Sequence, residues 1–224
     1  MGTRKEAFGI GEHYHVYNRG VDKRVIFTDS YDVLRFLKSM VEFNTIEPIG
    51  SLYLNSFLQL SGSTAKSKER LINIVSYCLN PNHFHIILEQ LVDGGISEYM
   101  KRLSGGYTWH FNHKYDRSGS LFQGRYKSVH IDSNEYLLHA SAYVNLNDRV
   151  HQLSGSTAKL VKSISSWEEY TDKKIKGICE KEIILGQFKT VCEYKKFALS
   201  SLESIVQRKE ELKNFDKLLL EQID

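Results

Sequence analysis

Two histidines one residue apart, His83 and His85, stand inside the apolar run HFHIILEQ at 83–90. In an extended strand residues i and i+2 face the same side, so both imidazoles project together while Phe84 enters the opposite face. Two imidazoles so placed can chelate one divalent ion but leave most of its coordination positions empty, so a third protein ligand is required. On its own such a pair is more often an ordinary surface or core feature. A competing pair with the same spacing, His13 and His15, lies near the N-terminus; no apolar run surrounds His13, although His15 could reach the site from a neighbouring strand. The second constellation is Tyr143 and Asn147, four residues apart on a helix predicted over 134–147 and so on one helical face, which Tyr136 and Ala140 extend. A phenol with a pKa of about 10 is a weak nucleophile at neutral pH, but a metal that polarises a nearby phosphate makes its attack feasible. Asn147 could supply the missing oxygen ligand. Without the histidines the same two residues read as a packed tyrosine and a capping asparagine.

The third feature is a strip, GGYTWHFNHKYDRSGSLFQGRYKSVHI, in which aromatic and basic residues interleave. Rings that stack on unpaired bases and cations that follow phosphates suit single-stranded nucleic acid. Between Lys101 and His130 there are six Lys or Arg residues against one acid, Asp116. The candidates are Lys101, Arg102, Tyr107, Trp109, Lys114, Arg117, Arg125, Tyr126 and Lys127, with Arg19 after the first strand. The net charge of +3 demands no polyanionic partner, so the case rests on this local patch.

Elements must hold these residues in place. A strand is predicted over 14–19, then a helix over 30–43 with Val33, Leu34, Leu37 and Val41 inward. Residues 51–60 and 71–79 read as strands, and the turn signal Asn80-Pro81-Asn82 makes 71–79 and 83–90 an antiparallel hairpin. A helix is predicted from Ser97 as N-cap, with a kink at Gly105-Gly106, then a strand over 122–131 and a helix capped by Asp132 or Ser133. Helices alternating with a mostly antiparallel sheet define an α+β fold. After Asn147 the pattern weakens, so a boundary is expected near 150: residues 1–150 form the catalytic domain and 151–224 a mostly helical extension. In the extension Leu202, Ile205, Leu212 and Leu219 form a partial stripe that packs on the main domain.

The octapeptide QLSGSTAK occurs at 59–66 and again at 152–159, 93 residues apart. Both copies read as exposed loop insertions, and a DNA repeat inserted twice in frame is the other explanation. Cys78, Cys179 and Cys192 are too few and scattered for a disulfide framework and read as buried thiols in a reducing cytosol. No long uncharged apolar run and no leader-like start is present, so a soluble, cytoplasmic, nucleoid-associated protein without a membrane partner is expected.

Taken in order, YHVYNRG, YCLNPNHFHIILEQ, ISEYMKRLSGGYTWHFN, GSLFQGRYKSVHIDSNEYLL and AYVNLNDRV resemble the single-tyrosine HUH transposases (IS200-like), and more closely their REP-associated tyrosine transposase branch. The blocks span 14 to about 150, and SSWEEY, EIILGQF and EYKKF extend the likeness weakly into the tail. The family often continues its tyrosine helix with Asn-Pro; Asn147-Asp148 departs from that and leaves the shape of the exit loop open. The resemblance implies a ferredoxin-like HUH core with a central antiparallel sheet flanked by helices. It implies Tyr143 as nucleophile, His83, His85 and Asn147 as ligands of Mg2+ or Mn2+, and single-stranded DNA carrying a hairpin as partner. Tyrosine attack on a phosphodiester would give a 5′-phosphotyrosine and a free 3′-OH. Small members act as dimers that exchange tyrosine helices and tailed members as monomers, so a homodimer stays open. Two other classes remain: a non-catalytic single-stranded nucleic-acid-binding protein on the same sheet, and a metal-dependent hydrolase using water.

Overall fold

The computed structural model describes residues 7–50, 52, 69–150 and 162–221, with side chains to residue 207, residue 150 excepted. Its centre is the hairpin that the turn signal predicts. Strand β2 (Ile72–Asn80) and strand β3 (His83–Gln90) pair antiparallel across Pro81-Asn82, with Asn80 opposite His83 and a register shift between Ile74 and Ser76. Strand β1 (His13–Arg19) lies along the other side of β3, β4 (Lys127–Ile131) along β1, and the short β5 (Ile164–Ser165) along β2. The order is β4-β1-β3-β2-β5 with every pair antiparallel, so β3 is central.

Strict alternation along β3 divides the molecule into two layers. Phe84, Ile86 and Leu88 point into a core completed by helix α1 (Ser30–Glu42) and helix α2 (Gly95–Lys114). Each such fully buried apolar side chain contributes roughly 1.5–3 kcal/mol. On the other face Ile87 joins Val75, Cys78 and residues of helix α3 (Asn134–Asn145). The extension completes that layer: after helix α4 (Asn147–Val150) come α5 (Trp167–Thr171), α6 (Glu182–Leu185) and α7 (Val191–Glu221). Tyr170, Ile184, Tyr194 and Ala198 from these segments are buried against α3, and the Asn145 amide donates to the Tyr194 hydroxyl at 2.8 Å. Of the predicted stripe Leu202 packs on this layer beside Tyr194 and Ala198, while the side chains of Leu212 and Leu219 lie outside the described residues.

Several local expectations change. In α1 the inward residues are Val33, Phe36 and Met40, whereas Leu34 (62% exposed) and Val41 (49%) face outward. Val33 and Leu37 face the core as expected, and the stripe is completed by Phe36 and Met40 rather than by Leu34 and Val41. Helix α2 starts at Gly95 after Gly94 in the left-handed region (φ 68°), two residues before Ser97. It runs unbroken through Gly105-Gly106, because Gly106 makes room for Phe43, whose ring carbon would lie 2.7 Å from an added Cβ. The strand predicted over 122–131 shrinks to 127–131: Phe122 makes only an isolated bridge with Gly20, and Gly124 takes φ 72°. Ser133, not Asp132, caps α3 by accepting from the Tyr136 amide. The helix ends at Asn145 rather than 147, broken at Leu146 (φ −113°, ψ 19°). All three cysteines are free thiols, but only Cys78 is buried; Cys192 is exposed. Of the strand expected over 51–60 only Leu52 is described, and it is buried; both QLSGSTAK copies lie outside the described residues. Among the described residues no helix is long and apolar enough to cross a membrane.

Candidate active site

The register brings polar residues of three strands to one spot on the α3 face. His85 lies opposite Tyr17 of β1 and Cys78 of β2, and His83 lies opposite Arg19 and Asn80. His83 and His85 share the face, as period two requires, with ring centroids 5.2 Å apart. His15, one pleat further along β1, bonds through Nε2 to His85 Nδ1 at 2.9 Å. The competing N-terminal pair is thereby split: His15 turns to His85, while His13 stands opposite Glu89 and Ile131.

Each histidine of the pair has its Nδ1 engaged. His83 Nδ1–H donates to Asn82 Oδ1 at 2.6 Å, which leaves Nε2 as the lone-pair nitrogen, and that nitrogen accepts from the Asn80 amide at 3.0 Å. Burial pushes the His15 pKa down to about 4, so His15 is neutral at physiological pH and its Nε2 can accept. A bond in which His85 Nδ1–H donates to His15 Nε2 puts the lone pair of His85 on Nε2. His83 is thus held with its lone pair on Nε2, and the His15 contact engages Nδ1 of His85.

Tyr143 comes from the last turns of α3 and Asn147 from the first residue of α4, across the break at Leu146. Helical phase therefore does not place Asn147; the turn does. The Tyr143 ring stands edge-on to His85 at 5.7 Å and to His15 at 5.9 Å. Burial raises its pKa above the ordinary phenol value, and the Asn147 amide, close by though outside hydrogen-bond geometry, pulls in the opposite direction. Asn147 is buried; its Oδ1 accepts from the Asn80 amide at 2.8 Å, and among the described residues its Nδ2 has no hydrogen-bond partner.

Among the described residues no three His, Cys, Asp or Glu side chains gather in metal-holding geometry, which directs attention to amide oxygens. The set His83, His85 and Asn147 fits a cation in one observable respect. His83 Nε2 and Asn147 Oδ1, both lone-pair atoms, converge on a single electropositive group, the Asn80 NH2.

A cavity of about 460 Å3 opens at the pair, lined by His83 and His85 together with Tyr17, Arg19, Lys127 and Tyr143 and by the polar Asn18, Asn82 and Gln123. Of the basic and aromatic candidates, Arg19 and Lys127 line it. Arg125 and Tyr126 lie just before β4, the first exposed and the second packed on the α1–α2 core. The others belong to the opposite layer. Lys101 and Arg102 pair with Glu98, and Arg102 also donates to the Thr45 and Ile46 carbonyls. Lys114 bridges Asp29 and the buried Asp32, Arg117 donates to Asn112, and Trp109, 68% exposed, stacks on His113. Tyr107 is fully buried with its hydroxyl donating to the Ile26 carbonyl, a core residue unable to stack on a base. Sequence reasoning missed Tyr17, Asn82 and Asn80. The two-residue turn Pro81-Asn82 already sets Asn80 against His83, and period two along β1 puts Tyr17 on the face of His15, so both signals were present.

Residues 58–147 match the family model described as Transposase IS200 like. The matched stretch holds His83, His85, Tyr143 and Asn147. Among solved structures the chain is similar to one described as the structure of the REP-associated tyrosine transposase bound to a REP hairpin. The two share 13% identity and a TM-score of 0.48, with 80% of this chain and 90% of that one covered. No curated protein matches the chain.

Proposed function

We propose that this chain is a single-strand DNA endonuclease and strand transferase of transposase type, acting at hairpin-associated sites with Tyr143 as nucleophile. The observation that carries the reading is the Tyr143 ring edge-on to His85, in one cavity with His83, Arg19 and Lys127. The Tyr143 oxygen attacks phosphorus; the new O–P bond replaces the P–O3′ bond, the phenol loses its proton and the departing 3′-oxygen gains one. The product is a 5′-phosphotyrosine and a 3′-OH. Because one phosphodiester is exchanged for another, attack by a second 3′-OH reverses the step and joins strands without external energy.

His83, His85 and Asn147 would hold Mg2+ or Mn2+, which when bound neutralises charge developing on the scissile phosphate. Arg19 and Lys127 orient the backbone through its phosphates, and His15 keeps His85 in its ligating tautomer. The hairpin preference, the choice between monomer and homodimer, and a cytoplasmic, nucleoid-associated location follow the resemblance of the sequence blocks. So does the division into a catalytic unit over 1–150 and an extension over 151–224.

Tyr136 is the rival nucleophile. It sits in the first turn of α3, 39% exposed, and about 10 Å of helical rise separates it from Tyr143. Incubation with a labelled hairpin strand and Mn2+ should give a denaturation-resistant protein–DNA adduct that Tyr143→Phe loses and Tyr136→Phe keeps. An adduct that survives Tyr143→Phe moves the nucleophile elsewhere; cleavage with no adduct in the wild type points to hydrolysis by water, and binding without cleavage to a non-catalytic protein.

A further inference from the structure

Asn80 is fully buried at the end of β2, and its carboxamide touches both ligand types of the proposed metal site. Its Nδ2 stands 3.0 Å from His83 Nε2 and 2.8 Å from Asn147 Oδ1, while its Oδ1 accepts from the Ser163 hydroxyl at 2.9 Å and the Cys78 thiol at 3.7 Å. A cation drawn to His83 Nε2 and Asn147 Oδ1 meets an N–H pair pointing at it. Burial leaves Asn80 no room to swing into solvent, so the amide must present a different atom in place.

Resting on the metal reading above, we infer that Asn80 is a further ligand of the divalent cation: its carboxamide turns over, and Oδ1 takes the position that Nδ2 now holds. The exchange needs no new space, since the oxygen and the NH2 of a carboxamide are nearly isosteric. It strands no partner either. The Ser163 hydroxyl carries acceptor lone pairs as well as its proton, and the Cys78 sulfur is a weak acceptor. The separations suit the role. Adjacent ligands of an octahedral ion held at 2.0–2.1 Å lie about 2.9 Å apart, close to the spacings Asn80 keeps from its two neighbours. A set of two nitrogens and two amide oxygens is richer in hard donors than two histidines and one asparagine, in keeping with Mg2+ or Mn2+ over zinc.

The test is Mn2+ binding to the full chain without DNA, read by the loss of free-ion electron paramagnetic resonance signal. Asn80→Asp keeps the shape, replaces the NH2 by an oxygen and adds charge, so it should tighten Mn2+ binding about tenfold; Asn80→Leu should weaken it about tenfold. His83→Ala serves as the reference. If His83→Ala abolishes binding while Asn80→Asp binds no better than wild type, or Asn80→Leu binds equally well, the Asn80 assignment falls and the metal site stands. If His83→Ala binds like wild type, the metal site itself is wrong and Asn80 falls with it. Should Asn80→Asp fail to fold, a wild-type crystal grown with Mn2+ decides by anomalous signal. A peak within about 2.4 Å of an Asn80 side-chain atom supports the inference, and one ligated by His83, His85 and Asn147 with Asn80 out of reach overturns it.

Discussion

The two faces of the central sheet are built from the same strands and serve opposite ends. Towards α1 and α2, β3 sends Phe84, Ile86 and Leu88, all fully buried among apolar partners. Towards α3 it sends His83, His85 and Ile87, and β1 adds His15 and Tyr17. The apolar face holds the strands in register, and that register is what aligns the polar face, since a slip by one residue would exchange the two sets of side chains. Charge follows the same division in an unexpected sense. Most of the basic strip lies in the apolar layer, where Lys114 binds Asp29 and Asp32 and Lys101 and Arg102 bind Glu98, so these cations brace helices. Arg19 and Lys127, outside or at the end of that strip, are the ones beside the histidines.

The comparison can be broken where the effect is largest. Phe84→Ala removes a ring packed against Phe36 and Phe122 and should cost about 3–5 kcal/mol of stability in chemical denaturation. A loss below about 1 kcal/mol would mean that this face does not hold the sheet. On the other face, His15→Ala should leave the denaturation midpoint close to wild type relative to Phe84→Ala, yet weaken Mn2+ binding about 10–100-fold through loss of the hydrogen bond that orients His85. His15→Gln, which can still accept from His85 Nδ1, should recover part of it; if both variants bind Mn2+ like wild type, His15 is a packing residue. The smallest effect separates the two groups of cations. Lys127→Ala should reduce the slope of log affinity against log salt for single-stranded DNA by about 0.7, the contribution of one phosphate contact, whereas Lys101→Ala should leave the slope unchanged. Equal slopes for the two variants would remove the distinction between site and brace.

Much of this site was legible in the residues alone because its signals are local. The parity of His83 and His85, the hairpin closed by Pro81-Asn82, and the Ser133 cap before α3 each depend on a handful of consecutive residues. The same locality explains the errors. Helical phase joins Tyr143 and Asn147 in the sequence, but the helix breaks at Leu146, where Asn145 is held by Tyr194 and Ser166. Leu34 and Val41 face outward against expectation, because apolar character at helical spacing does not say which of two overlapping stripes meets the sheet.

What the sequence determined by itself is therefore the chemical inventory and its short-range geometry: an HxH strand, a tyrosine near an asparagine, and the elements that carry them. The tertiary structure decided which residues complete that inventory. Strand order put β1 beside β3 and so gave His85 the partner His15, 70 residues away, and the hairpin's packing under α4 brought Asn80 to Asn147, 67 residues away. It also assigned the cations, since Lys114 is held by acids more than 80 residues earlier in the chain. Periodicity reports which face a side chain takes within its own element; what stands opposite that face is set by how the layers bury their apolar surface together, and no local pattern encodes it.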